Sequence, residues 1–344
     1  MSYTTDYYDI KSFSKLEYIW KDLERGKDMT CFQTYSWYKM LNECYVPEDS
    51  SNFLSIYAVV KNEDEVVLIA PLWIVKKTFK LVNKKGIFFL GRDGWSDYLN
   101  FIYKDFDNDA MSFLLEDLVK KYKVNCFYFS ELKQNVQSYV YFNSKMKLKK
   151  SEKCTCVALT LPSTKEDYHK LLSKNARQNI RTAHNRIKKD GLEVRILFDD
   201  KNIDRERCRV IREQRFIEKF SHISKLRRMK YKIMHRLTFH FQPYLPFMCY
   251  NEGHFLTTYI SNELCSFFYY LIDKNHRQIY VIAAGVNLEY SRYSPGIISL
   301  NAFINELIKT KNDIDIIDFT RGNEQYKYTV GGKEHYIEDA IFSL

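Results

Sequence analysis

Glycine and proline are scarce in this 344-residue chain, at 11 and 6 residues. That scarcity excludes a collagen-like, low-complexity or disordered chain. No apolar run approaches the ~20 residues a membrane-spanning helix needs, so no integral membrane segment is expected. The stretch from Met1 to Ile10 is polar and acidic, without a basic start and apolar run, so no secretory leader is expected either. Eight cysteines are scattered through apolar stretches, and the one close pair, Cys154-x-Cys156, has neither zinc-ligand nor redox-motif spacing. His254, His276 and His335 stand isolated, with no His-x-x-Glu-His pattern. Together these absences predict a cytoplasmic, soluble protein with reduced thiols and no metal centre.

What the chain does have is core-forming material. Hydrophobic residues make up 45% and aromatics 16% of the sequence, and its length favours two domains over one. Helix and strand patterns alternate in the same order twice. The first half reads as helices at Ser14–Glu24 and from Phe32 to about Tyr45, then the strands Leu54–Lys61 and Glu65–Lys76 around the turn Asn62-Glu63-Asp64. Gly86–Leu90, the stretch Asp97–Tyr103, a helix at Ala110–Lys121 and strands at Asn125–Ser130 and Cys154–Leu161 follow. In the second half Ser173 is a plausible N-cap, Ala176, Ile180, Ala183 and Ile187 recur at helical spacing, and Gly191 sits at the C-cap. A second helix spans Asp204–Phe220. Strands are predicted at Phe247–Asn251, His254–Ile260, Cys265–Asp273, Gln278–Ala284 and Ile314–Phe319, with a helix at Gly296–Lys309 and a last strand at Ala340–Leu344. Pro162 marks the boundary, giving domains of residues 1–162 and 163–344.

One stretch points to chemistry. The central-strand pattern of Gln278–Ala284 breaks at Gly285 and enters a helix through Ser294-Pro295-Gly296. Proline at a helix start sacrifices no donor, glycine removes a side chain that would hold a ligand off, and the helix dipole favours an anion there. Arg292 adds positive charge. The plain alternative is that Pro-Gly simply starts a helix. The matching position in the first half, Lys104-Asp105-Phe106-Asp107-Asn108-Asp109, is acidic: it would cap a helix well and repel a pyrophosphate.

Ala283-Ala284-Gly285-Val286, Tyr290…Ser294-Pro295-Gly296, Asp318-Phe319 with Arg321-Gly322, and Tyr326-Lys327 together resemble the GNAT acyltransferase superfamily. The likeness is to its tandem-domain branch of CelD-like acetyltransferases of polysaccharide biosynthesis, and more distantly to FemABX peptidyltransferases. Lys174 to Arg181 resembles the basic helix of that branch, and Phe32-Gln33-Thr34…Trp37 and Ser96-Asp97-Tyr98-Leu99 its first-half landmarks. The resemblance implies an α/β (α+β) fold of two tandem GNAT-like domains, each a mostly antiparallel mixed sheet flanked by helices. It implies acetyl-CoA or another acyl-CoA on Ala283, Gly285, Val286, Arg292, Ser294, Pro295 and Gly296. The acceptor would be an amine or hydroxyl of a sugar, nucleotide-sugar or cell-surface polysaccharide precursor, shaped by the first domain. This chain departs from the usual phosphate loop in offering one glycine there. FemABX relatives use aminoacyl-tRNA instead.

Acyl transfer needs a base, an acid for the leaving thiolate and oxyanion donors. Asp97 lies between aromatics, where partial desolvation would favour a base, although a turn carboxylate there also serves as a cap. Asp318 ends an apolar strand, with Arg321 or Lys327 as possible partners. Tyr326 or Tyr328 is a candidate acid by resemblance and each a packing tyrosine otherwise, and Lys327 is a candidate binder of phosphate or carboxylate. Trp95, Tyr98, Arg177, Arg181 and Arg321 are candidates for holding an anionic acceptor.

Lys+Arg 53 against Asp+Glu 43 gives a net charge of +10. Residues 170–236 hold 21 Lys+Arg and 8 Asp+Glu, or +13, leaving −3 elsewhere. This segment suits CoA phosphates, an acidic substrate or, as the alternative reading, tRNA bound by an aminoacyl-tRNA-dependent transferase or a non-catalytic RNA-binding protein. A solvated basic face is the plain reading.

Overall fold

A computed structural model describes residues 2–44, 53–76, 85–91, 95–219, 246–310 and 313–344. The basic run Arg227-Arg228-Met229-Lys230-Tyr231-Lys232 lies outside the described residues. In chain order the elements begin with β1 (Tyr3–Tyr8), α1 (Glu17–Leu23), α2 (Tyr35–Cys44), β2 (Phe53–Asn62), β3 (Glu65–Val75), β4 (Gly86–Phe89), α3 (Asn108–Tyr122), β5 (Phe127–Lys133) and α4 (Gln137–Lys145). They continue with β6 (Lys147–Thr160), α5 (Lys165–Leu171), α6 (Lys174–Lys189), β7 (Val194–Leu197), α7 (Arg205–Lys219), the short α8 (Pro246–Cys249), β8 (His254–Ile260), β9 (Glu263–Asp273) and β10 (Gln278–Val286). Last come α9 (Pro295–Thr310), β11 (Ile316–Arg321), α10 (Gln325–Thr329) and β12 (Lys333–Ser343). The fold is mixed α/β, with mostly antiparallel sheets flanked by helices. No described helix is long and apolar enough to cross a membrane.

Two compact units emerge. One comprises the described residues from 2 to 154 with Tyr336–Leu344, and the other the described residues from 155 to 335. In the first, β1, β2, β3 and β4 run antiparallel, β4 pairs with β5 in parallel, and β12 pairs antiparallel with β5. The second repeats this plan: β7, β8, β9 and β10 are antiparallel, β10 pairs with β11 in parallel, and β6 pairs antiparallel with β11. Each unit therefore has the same sequence of pairings. The chain's last strand belongs to the first unit, and the strand after α4 runs on into the second.

Local chemistry explains the elements. The Thr30 and Gln33 side chains cap each other's backbone before α2, and the Gln33 amide also donates to the Tyr98 carbonyl at 2.9 Å. Asp107 caps α3 by accepting from Asp109 and Ala110 amides at 2.9 and 3.1 Å, so the acidic run is spent on a helix start. Ser173 caps α6 as its spacing predicts, accepting from the Ala176 amide at 3.1 Å. The core of the second unit packs Ile279, Val281, Ile317 and Phe319 of the sheet against Leu300, Phe303 and Ile304 of α9, with Tyr168, Leu172 and Ala176 beside them.

One stretch differs from expectation, and another carries no regular strand. Phe247–Asn251, read as a strand, begins in helix α8, because Pro246 sets a helical start and Phe247 is buried among Phe255, Phe267 and Tyr269. Asp97–Tyr103 forms only a single bridge, Ile102 to Ile69, since Tyr98 adopts a left-handed φ of 56°. All eight cysteines are free thiols, and burial raises the Cys265 pKa to about 11.

Tyr168 is 1% exposed, and its hydroxyl has no hydrogen-bond partner among the described residues. A buried donor in that state is destabilising by about 1–3 kcal/mol. Tyr168→Phe is therefore expected to stabilise the fold, raising Tm by roughly 2–4 °C in a thermal melt. A fall of similar size would contradict this account of the hydroxyl.

Candidate active site

The site is built on a fork in the second unit. β10 and β11 are paired in parallel only at Gln278–Ile316, Ile279–Ile317 and Tyr280–Asp318. Beyond that point β10 follows β9 as far as Val286–Ser266, with a bulge between Val281 and Ala283. β11 instead follows β6, where Arg321 lies opposite Cys156 and the Gly322 amide donates to the Thr155 carbonyl at 2.9 Å. From Ile282 to Val286, the β10 edge that faced β11 has no strand partner among the described residues. A strand edge in that state offers backbone donors and acceptors to an extended amide-containing ligand.

Asp318 sits at the branch point, 2% exposed. Its Oδ1 accepts from the Thr320 amide at 2.7 Å and its Oδ2 from the Gln278 side-chain amide at 3.0 Å. His335 Nε2 lies 3.3 Å from the same Oδ2. Thr320 has a left-handed φ of 53°, and its hydroxyl donates to the Val281 carbonyl at 3.2 Å. Asp318 therefore fixes the turn that takes β11 away from β10.

Lys327 is equally buried, at 2% exposure. Its Nζ donates to the carbonyls of Thr320, Arg321 and Gly322 at 3.2, 2.7 and 3.0 Å, and lies 3.1 Å from Glu324 Oε2. Those contacts use the ammonium's three donors, so its position is that of a clamp on the loop after β11 rather than of a ligand-facing cation. The Tyr326 ring packs against Phe268 and Phe319, with centroids 5.9 and 6.2 Å away.

The end of the unpaired β10 edge meets the start of α9. Asn287 accepts from the Glu289 amide at 3.1 Å and opens a 3₁₀ turn, Leu288–Tyr293. Ser294 follows in the left-handed region at φ 48°, and Pro295 starts the helix. Pro295 has no N–H and the Ile297 amide donates to the Ser294 carbonyl at 3.0 Å, so the Gly296 amide is the leading donor at the helix start. A Cβ on Gly296 would stand 3.2 Å from Val286 Cγ2, which measures how closely strand edge and helix start approach. Arg292 reaches Asp190 Oδ2 at 3.0 Å, its carbonyl accepts from Arg186 at 2.8 Å, and the Tyr293 hydroxyl donates to the same Asp190 oxygen at 2.7 Å. Ala283, Gly285, Val286, Arg292, Ser294, Pro295 and Gly296 thus occupy one continuous stretch from strand edge to helix start. Behind it, Ile211 of α7 lies 3.0 Å from where a Gly285 Cβ would be.

Arg177 and Arg181 lie elsewhere in this unit, in a cleft beside α5. Arg321 is half-buried at the end of β11. In the first unit the Trp37 indole donates to the Ser96 hydroxyl at 2.8 Å, and the Lys133 ammonium lies over the Tyr98 ring at 5.2 Å. Trp95 and Tyr98 are buried and Asp97, between them, is half-buried. Sequence reasoning missed Gln278, Asp190 and His335 as partners of site residues. Gln278 carried a signal, being the one polar residue in an apolar strand. Among the described residues, no group of three or more His, Cys, Asp or Glu could hold a metal ion.

Lys327→Met is expected to destabilise the second unit by about 3 kcal/mol in urea unfolding, since it removes a buried ammonium from Glu324 and from three carbonyls. A change below about 0.5 kcal/mol, typical of a surface substitution, would remove its clamping role.

No curated protein matches the chain. Among solved structures, FemX is similar over 99% of this chain and 97% of its own, at 9% identity and a TM-score of 0.51. A tandem GNAT protein from the clavulanic acid biosynthesis pathway covers 100% of this chain and 98% of its own at 9% identity and a TM-score of 0.49. A conserved protein of unknown function from Bacteroides thetaiotaomicron covers 99% and 100% at 11% identity and a TM-score of 0.48. FemX shares the fold. Residues 174–328, which hold the fork and the helix start, match the family described as Acetyltransferase (GNAT) domain.

Proposed function

We propose that this protein is an acyl-CoA-dependent N- or O-acyltransferase, most simply an acetyltransferase, with its donor in the fork of the second unit. The observation that carries the reading is the parting of β10 from β11 after Tyr280 and Asp318, with the start of α9 at the far end of the exposed edge. The Ile282–Val286 backbone suits the amides of a pantetheine arm. The Gly296 amide, the α9 dipole and Arg292 suit its pyrophosphate. Acyl-CoA supplies an activated thioester for direct attack by an acceptor amine or hydroxyl.

The remaining roles fall to side chains. A backbone N–H of the bulged β10 edge would hold the developing oxyanion, a preorganised donor that needs no rearrangement. We assign the leaving thiolate's proton to Tyr326. Asp318 acts by position, holding the fork open through Thr320. Asp97 is the base we favour, and Trp95, Tyr98 and Arg321 are assigned to the acceptor. The acceptor class, a sugar, nucleotide-sugar or polysaccharide precursor, rests on the resemblance to CelD-like acetyltransferases.

Acetyl-CoA is expected to bind the wild-type chain in calorimetry, and Gly296→Val to weaken it at least tenfold, about 1.4 kcal/mol, by filling the 3.2 Å approach to Val286. Absence of binding to folded wild-type protein at millimolar acetyl-CoA would overturn the donor assignment. Asp97→Asn is expected to lower kcat by about 10²-fold or more with acetyl-CoA affinity unchanged, once an acceptor is in hand. Full turnover in that variant would remove Asp97 from the mechanism.

A further inference from the structure

On the α9 side of the second unit's sheet lies a cleft of about 680 Å³, within the range of small-molecule sites. It contains none of the residues from Arg292 to Gly296. Its wall on α9 is Asn301 and Asn305, five and nine residues past Gly296, or about 7.5 and 13.5 Å along the helix axis. It is therefore a separate site from the donor fork.

Its lining is strongly one-signed, with Lys165, Lys170, Arg177 and Arg181 against the single carboxylate Glu166. The cations are not equivalent. Arg177 is half-buried, and its Nη1 donates to the His169 and Leu172 carbonyls at 3.0 and 3.1 Å, so the guanidinium is held rigid. One helical turn on, Arg181 is exposed and makes no ion pair among the described residues. Lys170 is tied at 3.0 Å to Asp167. Asn305 donates to the Asn301 carbonyl at 2.7 Å, which fixes one carboxamide at the rim. Leu172 and Ile180 supply an apolar floor.

We propose that this cleft binds a small organic phosphate, independently of the donor assignment. A rigid guanidinium beside a second, unpaired one matches a phosphate dianion better than a monoanionic carboxylate. The floor takes an apolar ring face, and the paired asparagines read a polar edge. A polyanion track is less well matched, because Glu166 and Asp167 interrupt the basic surface on α5 and the site is a cleft of single-ligand size.

Calorimetry with inorganic phosphate, AMP and glucose 1-phosphate, each with and without saturating acetyl-CoA, tests the site. At least one is expected to bind with a submillimolar Kd, equally well in both conditions. Arg181→Ala is expected to weaken it about tenfold while acetyl-CoA affinity stays unchanged. AMP preferred over glucose 1-phosphate identifies a nucleotide ligand, and the reverse a sugar phosphate. Binding abolished by acetyl-CoA would place the anion in the donor fork and overturn the proposal, as would indifference to Arg181→Ala. No binding by any of the three would overturn it too, whether or not acetyl-CoA itself binds. A short single-stranded RNA binding much more tightly than AMP would assign the surface to nucleic acid instead.

Discussion

The buried carboxylate of Asp318 is the constraint on which the site depends. Burying a charge is costly unless it is met by hydrogen bonds, and here the Thr320 amide and the Gln278 carboxamide supply them. The Thr320 amide can reach Asp318 only because Thr320 takes a left-handed φ of 53°, a conformation costing about 1–2 kcal/mol for a non-glycine residue. That turn stops β11 from continuing beside β10. The carbonyls of Thr320, Arg321 and Gly322 then need other partners, and Lys327 satisfies all three. Two buried charged side chains thus secure the turn at which β11 parts from β10.

The first unit uses a related backbone device to a different end. Its parallel pair β4–β5 is registered only at Ile87–Phe127 and Phe88–Tyr128, and Glu131 of β5 is left-handed at φ 61°, with its amide donating to Asp339 Oδ1 at 2.7 Å. There the space is filled with rings. Phe89 stacks on Phe129 at 4.6 Å and meets Phe101 edge-on at 5.1 Å, while Phe88 stacks on Tyr128 at 4.5 Å. The helix that follows is capped by Asp107, which places a negative charge where the second unit presents Gly296 and Arg292. One plan of pairings therefore supports a helix start flanked by Arg292 and Gly296 in one unit and a packed aromatic core in the other.

Much of this was legible in the sequence because it depends on local pattern. The Ser173 cap, the α6 stripe and the strand–Ser-Pro-Gly–helix passage are each set by neighbours a few residues apart. The landmark pair Phe32–Trp37 and Ser96–Tyr98 also makes physical sense, since Gln33 bonds the Tyr98 carbonyl and Trp37 the Ser96 hydroxyl. What stayed hidden was non-local. Lys327 reads as a binder of phosphate or carboxylate, whereas its partners include three backbone carbonyls, which leave no mark in a sequence. β12 reads as the last strand of whatever precedes it, yet its register is with β5, some 200 residues earlier. Alternation of apolar residues reveals that a strand is half-buried and not which strand it meets. Short elements such as β1, β7 and α5 fall below the length at which periodicity speaks.

The charge excess also changes meaning once placed. α6 packs beside α9 with the small residues Ala176 and Ala183 buried, and its basic residues lie both at the start of α9 and beside Asn301 and Asn305 in its middle. At the C-terminal end of α6, Asp190 holds Arg292 and Tyr293 beside the start of α9. With the Arg292 side chain 60% exposed, that ion pair is a surface contact worth about 0–1 kcal/mol. A phosphate at the helix start can draw the guanidinium away at little cost, so Asp190 parks Arg292 without sequestering it. Midway along α6 no carboxylate performs that service for Arg181 among the described residues, and the charge there stands open to whatever anion the cleft admits.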